Sequence, residues 1–169
     1  MNRIQFFSPA PWPANEAARQ AAVETYRLAE AGKDPDLQAI VESAALLFDT
    51  PNAAMSILDG DIQRLFVRLG FDVEQTPRAT SFCGHVILAP DRVTVVDDPT
   101  RDPRFSGNPV VQDEPYIRFY VGAPLVTTQG VLGALCVFDS RPHCVDEAQR
   151  AWLMELAGHA VALLDSRYR

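Results

Sequence analysis

Residues 116–139 read YIRFYVGAPLVTTQGVLGALCVFD, two apolar runs separated by Thr128, Gln129 and Gly130. Both runs are rich in β-branched and aromatic side chains, and a polar turn ending in glycine between them predicts an antiparallel hairpin. The second run is apolar almost throughout, which suits a strand in the middle of a sheet with both faces covered. At the start of the first run the side chains alternate. Ile117, Phe119 and Val121 are expected to face a helix-covered core, and Tyr116, Arg118 and Tyr120 the opposite side.

Upstream, AAMSIL (53–58) and IQRLFVRLG (62–70) flank Asp59, Gly60 and Asp61 and predict a second hairpin. VTVVDD (93–98) predicts a further strand. Ser81 is placed to cap a short helix over FCGHVILA (82–89). The stretch 98–115, DPTRDPRFSGNPVVQDEP, holds four prolines and predicts a long ordered connection with at most one helical turn. Helices bracket these strands. After a proline-rich leader, Asn15 is expected to cap a helix over residues 16–32 that stops at Gly32. Asp34 and Pro35 open a second helix, in which Leu37, Ile40, Val41, Ala44, Leu47 and Phe48 recur at helical spacing. Asp146, with Gln149 three residues on, opens a long final helix, with Arg167 and Arg169 at its favourable end. Strands paired by short turns, with helices before and after, define an α+β chain with an antiparallel sheet.

The composition bounds the function. The chain has 169 residues, 47% hydrophobic and 22% charged, as expected for one globular domain. A net charge of −7, with no basic run interleaved with aromatics, argues against nucleic acid as a partner. No stretch approaches the roughly 18 apolar residues of a membrane span. The three cysteines, Cys83, Cys136 and Cys144, are too few for a disulfide framework, so free thiols and a cytoplasmic location are expected.

Four segments in this order, SFCGHVI (81–87), VVDDPTRDPRFSGNP (95–109), IRFYVGAPL (117–125) and GVLGALCVFD (130–139), resemble the GAF domain of bacterial sensory proteins. The likeness is to the modules found ahead of histidine kinase, diguanylate cyclase and cyclic-dinucleotide phosphodiesterase domains. It implies a GAF-like, six-stranded antiparallel sheet with the N- and C-terminal helices on one face. A ligand pocket is implied on the other, roofed by the short helix and the proline-rich connection. Residues 1–34 are then a leader and helix, and 35–169 the GAF domain. The implied function is a sensor that binds a metabolite and relays it through terminal helices in a homodimer to a downstream signalling protein. The resemblance specifies neither ligand nor cofactor.

Within that frame Phe82, His85, Asp98, Arg101, Phe105, Tyr116, Arg118 and Tyr120 are the candidate ligand-binding residues. Arginines are fork donors for anions, and aromatic rings supply walls. Asp102 and Arg104 are expected to pair with each other. Cys83 and His85 could make half of a metal site on a strand, but two residues apart on a helix they point away from each other, so no metal site is expected. Cys83 in a first helical turn could also be a reactive thiol. The alternative function is therefore a GAF-fold thiol enzyme such as a free methionine-(R)-sulfoxide reductase. The cysteines do not match that pattern, and no catalytic residue is expected.

Overall fold

The computed structural model describes residues 4–169. Three helices come first: α1 (Glu16–Val23), α2 (Leu28–Ala31) and α3 (Pro35–Phe48). The strands are β1 (Asn52–Asp59), β2 (Ile62–Leu69), β3 (Gln75–Pro77), β4 (Thr94–Val96), β5 (Phe119–Thr127) and β6 (Gly130–Asp139). The one-turn helices α4 (Cys83–Val86) and α5 (Pro109–Gln112) lie in the connections on either side of β4, and α6 (Glu147–Arg167) ends the chain. All pairings are antiparallel, in the order β3-β2-β1-β6-β5-β4. Both expected hairpins are present. Gly60 turns the first with φ 58°, a left-handed conformation that glycine adopts without steric cost.

β1 and β6, at the centre of the sheet, bury side chains on both faces, which divides the interior into two cores. On one face Met55, Ile57, Leu135 and Val137 pack with Phe119, Val121 and Leu125 beneath α3 and α6. On the other, Ala54, Ala134, Cys136 and Tyr120 pack beneath α4 and the proline-rich connection. A bulge in β2 opposite Met55 and Ser56 turns Phe66 and Val67 toward the helical core while Leu65 stays with the second.

Asp34 caps α3 as expected, accepting from the Asp36 N–H at 2.8 Å. Its second oxygen takes Arg167 at 2.8 Å and the Tyr168 hydroxyl at 2.7 Å, tying the start of α3 to the end of α6. Asp146 and Gln149 complete the expected capping box on α6. Replacing Asp146 by alanine removes that cap and is expected to lower stability by about 1 kcal/mol, measured as a shift in urea midpoint at constant slope.

Four local expectations are corrected. The helix over residues 16–32 is two pieces. The Thr25 hydroxyl donates to the Ala22 carbonyl, and the Arg27 N–H is taken by the Tyr168 carbonyl at 2.8 Å, so a contact with the C-terminal helix replaces an intrahelical bond. Asn15 stands at the start of α1 but makes no side-chain cap. The helix over 82–89 is only Cys83–Val86, although Ser81 Oγ does accept from the Gly84 N–H at 3.2 Å. Ile117 lies with the second core rather than with Phe119 and Val121, because β5 begins only at Phe119 and Tyr116 has a left-handed backbone, φ 54°.

A buried ion cluster fastens α1 to the sheet. Arg19, 1% exposed, donates to both Glu16 oxygens at 2.7 and 2.8 Å and reaches the Leu58 and Leu132 carbonyls at the ends of β1 and β6. Arg78, in the single turn after β3, binds the same carboxylate at 2.6 and 3.2 Å. Residues 4–14 then run across α4 and the proline-rich connection, on the face away from α3 and α6. The Ser8 N–H donates to the Arg104 carbonyl at 3.0 Å and the Gly107 N–H to the Phe6 carbonyl at 2.8 Å. Among the described residues, no helix is long and apolar enough to cross a membrane.

Candidate functional site

The second core is roofed by short pieces held by polar ties. Buried Asn108 caps α5 through the Val110 N–H and donates to the Thr80 carbonyl at 3.0 Å, joining the proline-rich connection to the turn before α4. Arg118 donates to the Val111 carbonyl at 2.8 Å. Phe105 is fully buried and stacks on Phe82 with ring centroids 4.0 Å apart, and Phe82 tilts against Tyr120 at 5.0 Å.

Between this roof and the sheet is a cavity of about 80 Å³, lined by Leu65, Phe71, Phe82, Val110, Ile117, Tyr120 and Phe138. Its polar lining includes Gln63 and the thiols of Cys83 and Cys136. Gln63 is 7% exposed; its Nε2 donates to Thr76 Oγ1 at 3.0 Å, and its Oε1 has no hydrogen-bond partner among the described residues. A buried acceptor of this kind favours any molecule that brings it a donor.

The thiols form a closed group with the Tyr120 phenol. Cys83 Sγ lies 3.0 Å from the Tyr120 hydroxyl. Hydrogen bonds from Cys136, Ser56 and Tyr120 outweigh burial and draw the Cys83 thiol down. Its hydrogen bond to Cys83 and burial push Cys136 up, and burial raises Tyr120. All three cysteines are free thiols; Cys83 and Cys136 are buried and Cys144 is exposed.

The structure separates the eight candidate residues. Phe82 and Tyr120 line the cavity, and Phe105 backs Phe82 within the roof. His85 faces outward from the cavity. Its ring meets Phe105 edge-on at 4.8 Å, and burial and the Arg104 charge hold its pKa below the usual imidazole value. Asp98 and Arg101 lie on the exposed outside of the connection, 3.6 Å apart, with Arg101 88% exposed. Tyr116 is 43% exposed, and Arg118 serves the roof backbone. Asp102 and Arg104 pair at 2.7 Å as expected. Cys83 and His85 point apart, as helical geometry requires.

Sequence reasoning missed Gln63 and Cys136 as cavity residues. Gln63 had a signal: it is two residues from Leu65 on one strand and so shares its face, leaving a polar group on an inward-facing position.

A six-stranded antiparallel sheet with helices on one face and a roofed cavity on the other is the architecture of a GAF domain. Residues 35–164 match the GAF domain family, and the chain belongs to it. In sequence it is 48% identical over 133 residues to a cyclic di-GMP phosphodiesterase from Pseudomonas aeruginosa, a match that takes in 78% of this chain and 22% of that protein. The chain therefore spans about a fifth of the length of that relative. Among solved structures, the type II free methionine-R-sulfoxide reductase from Thermoplasma acidophilum superposes with a TM-score of 0.66 at 14% identity, over 83% of this chain and 97% of that one. The GAF domain of the Acinetobacter phosphoenolpyruvate-protein phosphotransferase gives a TM-score of 0.64 at 16% identity, over 91% and 95%. At these identities the likeness is one of fold.

Proposed function

We propose that this GAF domain is the small-molecule-sensing regulatory module of a cytoplasmic signalling protein, and that the cavity under α4 is its ligand site. In this reading residues 1–34 are an accessory leader and 35–169 the sensing domain. The observation that carries it is the second core. It is covered by one-turn helices and a loop rather than by long helices, and it holds a buried amide oxygen, Gln63 Oε1, unpaired among the described residues, beside a mainly apolar cavity. The site suits a mainly apolar molecule with one N–H or O–H donor. Drug-sized ligands occupy pockets of about 300–1,000 Å³, so a metabolite of that size requires the roof to rise from its present 80 Å³. Phe82, Phe105 and Tyr120 are the aromatic contacts in this proposal, and His85, Asp98, Arg101, Tyr116 and Arg118 would join only through movement of the connection. The similarity to a phosphodiesterase supports a role in regulating an enzyme of cyclic-dinucleotide signalling.

Relay through a dimer is part of the same proposal. Leu46 on α3 and Trp152 on α6 are 82% and 58% exposed, on helices joined by the Gln149 side chain and the Leu47 carbonyl. Large apolar side chains left in water at a helix pair suit a two-fold partner. Native mass spectrometry of freshly purified protein tests both parts: a dimer carrying a bound small molecule is expected, and a bare monomer would count against the ligand and the dimer alike. A ligand present at 100 times its Kd should add about 2.7 kcal/mol of stability.

The Cys83 and Cys136 pair in the cavity favours one second reading, a thiol enzyme acting on a small oxidised substrate. Assay of methionine sulfoxide reduction with dithiothreitol, on the wild type and Cys83→Ser, separates the two. The sensory reading expects no Cys83-dependent turnover.

A further inference from the structure

The segment 4–14 lies outside the span that matches the family, yet it crosses the roof of the cavity and is built to fit there. Two glycines make room for it. A Cβ on Gly107 would run into the Gln5 carbonyl, and one on Gly84, in α4, would sit 3.3 Å from the Ala10 Cβ. The segment thus touches both halves of the roof, α4 and the connection that carries Phe105. Its N–H at Ser8 and carbonyl at Phe6 are paired with residues 104 and 107, and Ser106 Oγ adds a bond to the Phe6 carbonyl. Farther along, the Arg78 guanidinium lies 4.2 Å from the Trp12 ring centroid while also holding Glu16.

None of residues 4–14 enters either apolar core, and Phe6 is 76% exposed. The segment is attached by peptide groups, one side-chain hydrogen bond from Gln112 to Gln5 and one stacked indole, a kind of hold that opens locally without unfolding the domain. The cavity beneath is about 80 Å³, and the segment spans the roof above it.

We infer that residues 4–14 are an intramolecular strap that locks the roof of the pocket, so that ligand access and strap release are one event. The strap leads directly into α1, whose Glu16 and Arg19 are fixed to the sheet, so release frees the segment up to that anchor and no farther. This rests on the cavity being the ligand site, but the lock itself is testable without any ligand.

The thiols provide the readout. Cys83 lies under the roof and Cys144 is exposed outside it, so Cys144 is an internal reference for access. The full chain is treated with iodoacetamide and the modified peptides are quantified by mass spectrometry over time, with hydrogen exchange followed in parallel. In the wild type Cys83 should react far more slowly than Cys144. Gly107→Ala, which places a methyl group in the path of the strap, should raise the Cys83 rate relative to Cys144 about tenfold, equivalent to about 1.4 kcal/mol in roof opening. Trp12→Ala, which adds no atom to the roof, should raise it in the same direction, and it decides the matter if Gly107→Ala does not fold. An unchanged Cys83 rate in both variants, with residues 4–10 losing exchange protection, overturns the lock. Strap-dependent labelling in a protein that binds no metabolite would keep the lock and sink the sensory reading; a bound metabolite with strap-independent labelling would do the reverse.

Discussion

Glu16→Gln is expected to cost about 3–5 kcal/mol of folding stability, because it leaves two largely buried arginines without their counter-charge. The Arg19 and Arg78 side chains are only 1% and 6% exposed, and both bind the one carboxylate. Burial alone would raise the Glu16 pKa. The hydrogen bonds and charges of the two guanidiniums overrule it and hold the carboxyl at about 2, against an ordinary value of 4.5. The sign of the pH dependence follows. A carboxyl depressed in the folded state contributes its full stabilisation above its unfolded pKa and loses it as pH falls through the folded one. Wild-type stability should therefore decline between pH 4.5 and 2, and part of that decline should be missing in Glu16→Gln. The remainder includes Asp34, which the Tyr168 hydroxyl and then Arg167 hold near 2 against the opposing effect of burial. Urea midpoints at pH 7, 5 and 3 check this. Equal pH slopes in the two proteins would remove Glu16 as the keystone of the cluster.

Phe105→Ala should cost a similar amount, about 3–5 kcal/mol, the usual range for deleting a buried aromatic ring. The ring is 1% exposed, stacked on Phe82 and touched edge-on by His85, and the Arg104 guanidinium lies 4.9 Å from its centroid. What distinguishes this position is where the loss falls. Phe105 belongs to the second core alone, so its removal loosens the roof and leaves the packing of α3 and α6 on the sheet intact. Hydrogen exchange should show residues 82–88 and 99–112 losing more protection than α6 and β6, whose loss is limited to the fall in global stability. A loss spread evenly over both cores would mean that the roof does not open as a unit. Phe105→Leu should recover part of the stability, since it refills the site without the stacked ring.

Much of this architecture was legible in sequence because it rests on local rules. Alternation and turn chemistry mark the β1–β2 and β5–β6 hairpins, and Asp146 with Gln149 marks the start of α6. β3 was not legible from the residues themselves: it has three residues, ends in Pro77, and exists only through pairing with Ile62, Gln63 and Arg64. The sixth strand was expected only from the family resemblance. The break between α1 and α2 has the same origin, since the Tyr168 carbonyl that takes the Arg27 N–H lies at the far end of the chain. Ile117 broke the alternation because strand geometry starts two residues later.

At the site, aromatic character and position were enough to pick out Phe82, Phe105 and Tyr120 as neighbours. Charge was a poorer guide: Asp98 and Arg101 satisfy each other and the solvent. The strap carries no periodicity at all, only prolines and scattered aromatics, and its backbone hydrogen bonds to the proline-rich connection leave no mark in side-chain pattern.

The staple between the start of α3 and the end of α6 has a mechanical consequence. Arg27 donates to the Tyr168 carbonyl from its N–H and to the Arg167 carbonyl from its side chain at 2.7 Å, while Asp34 holds Arg167 and Tyr168 in return. From Arg27 to Tyr168 the polypeptide therefore traces a nearly closed circuit. The start of α3 and the end of α6 are thereby fastened to each other directly, with no strand of the sheet between them.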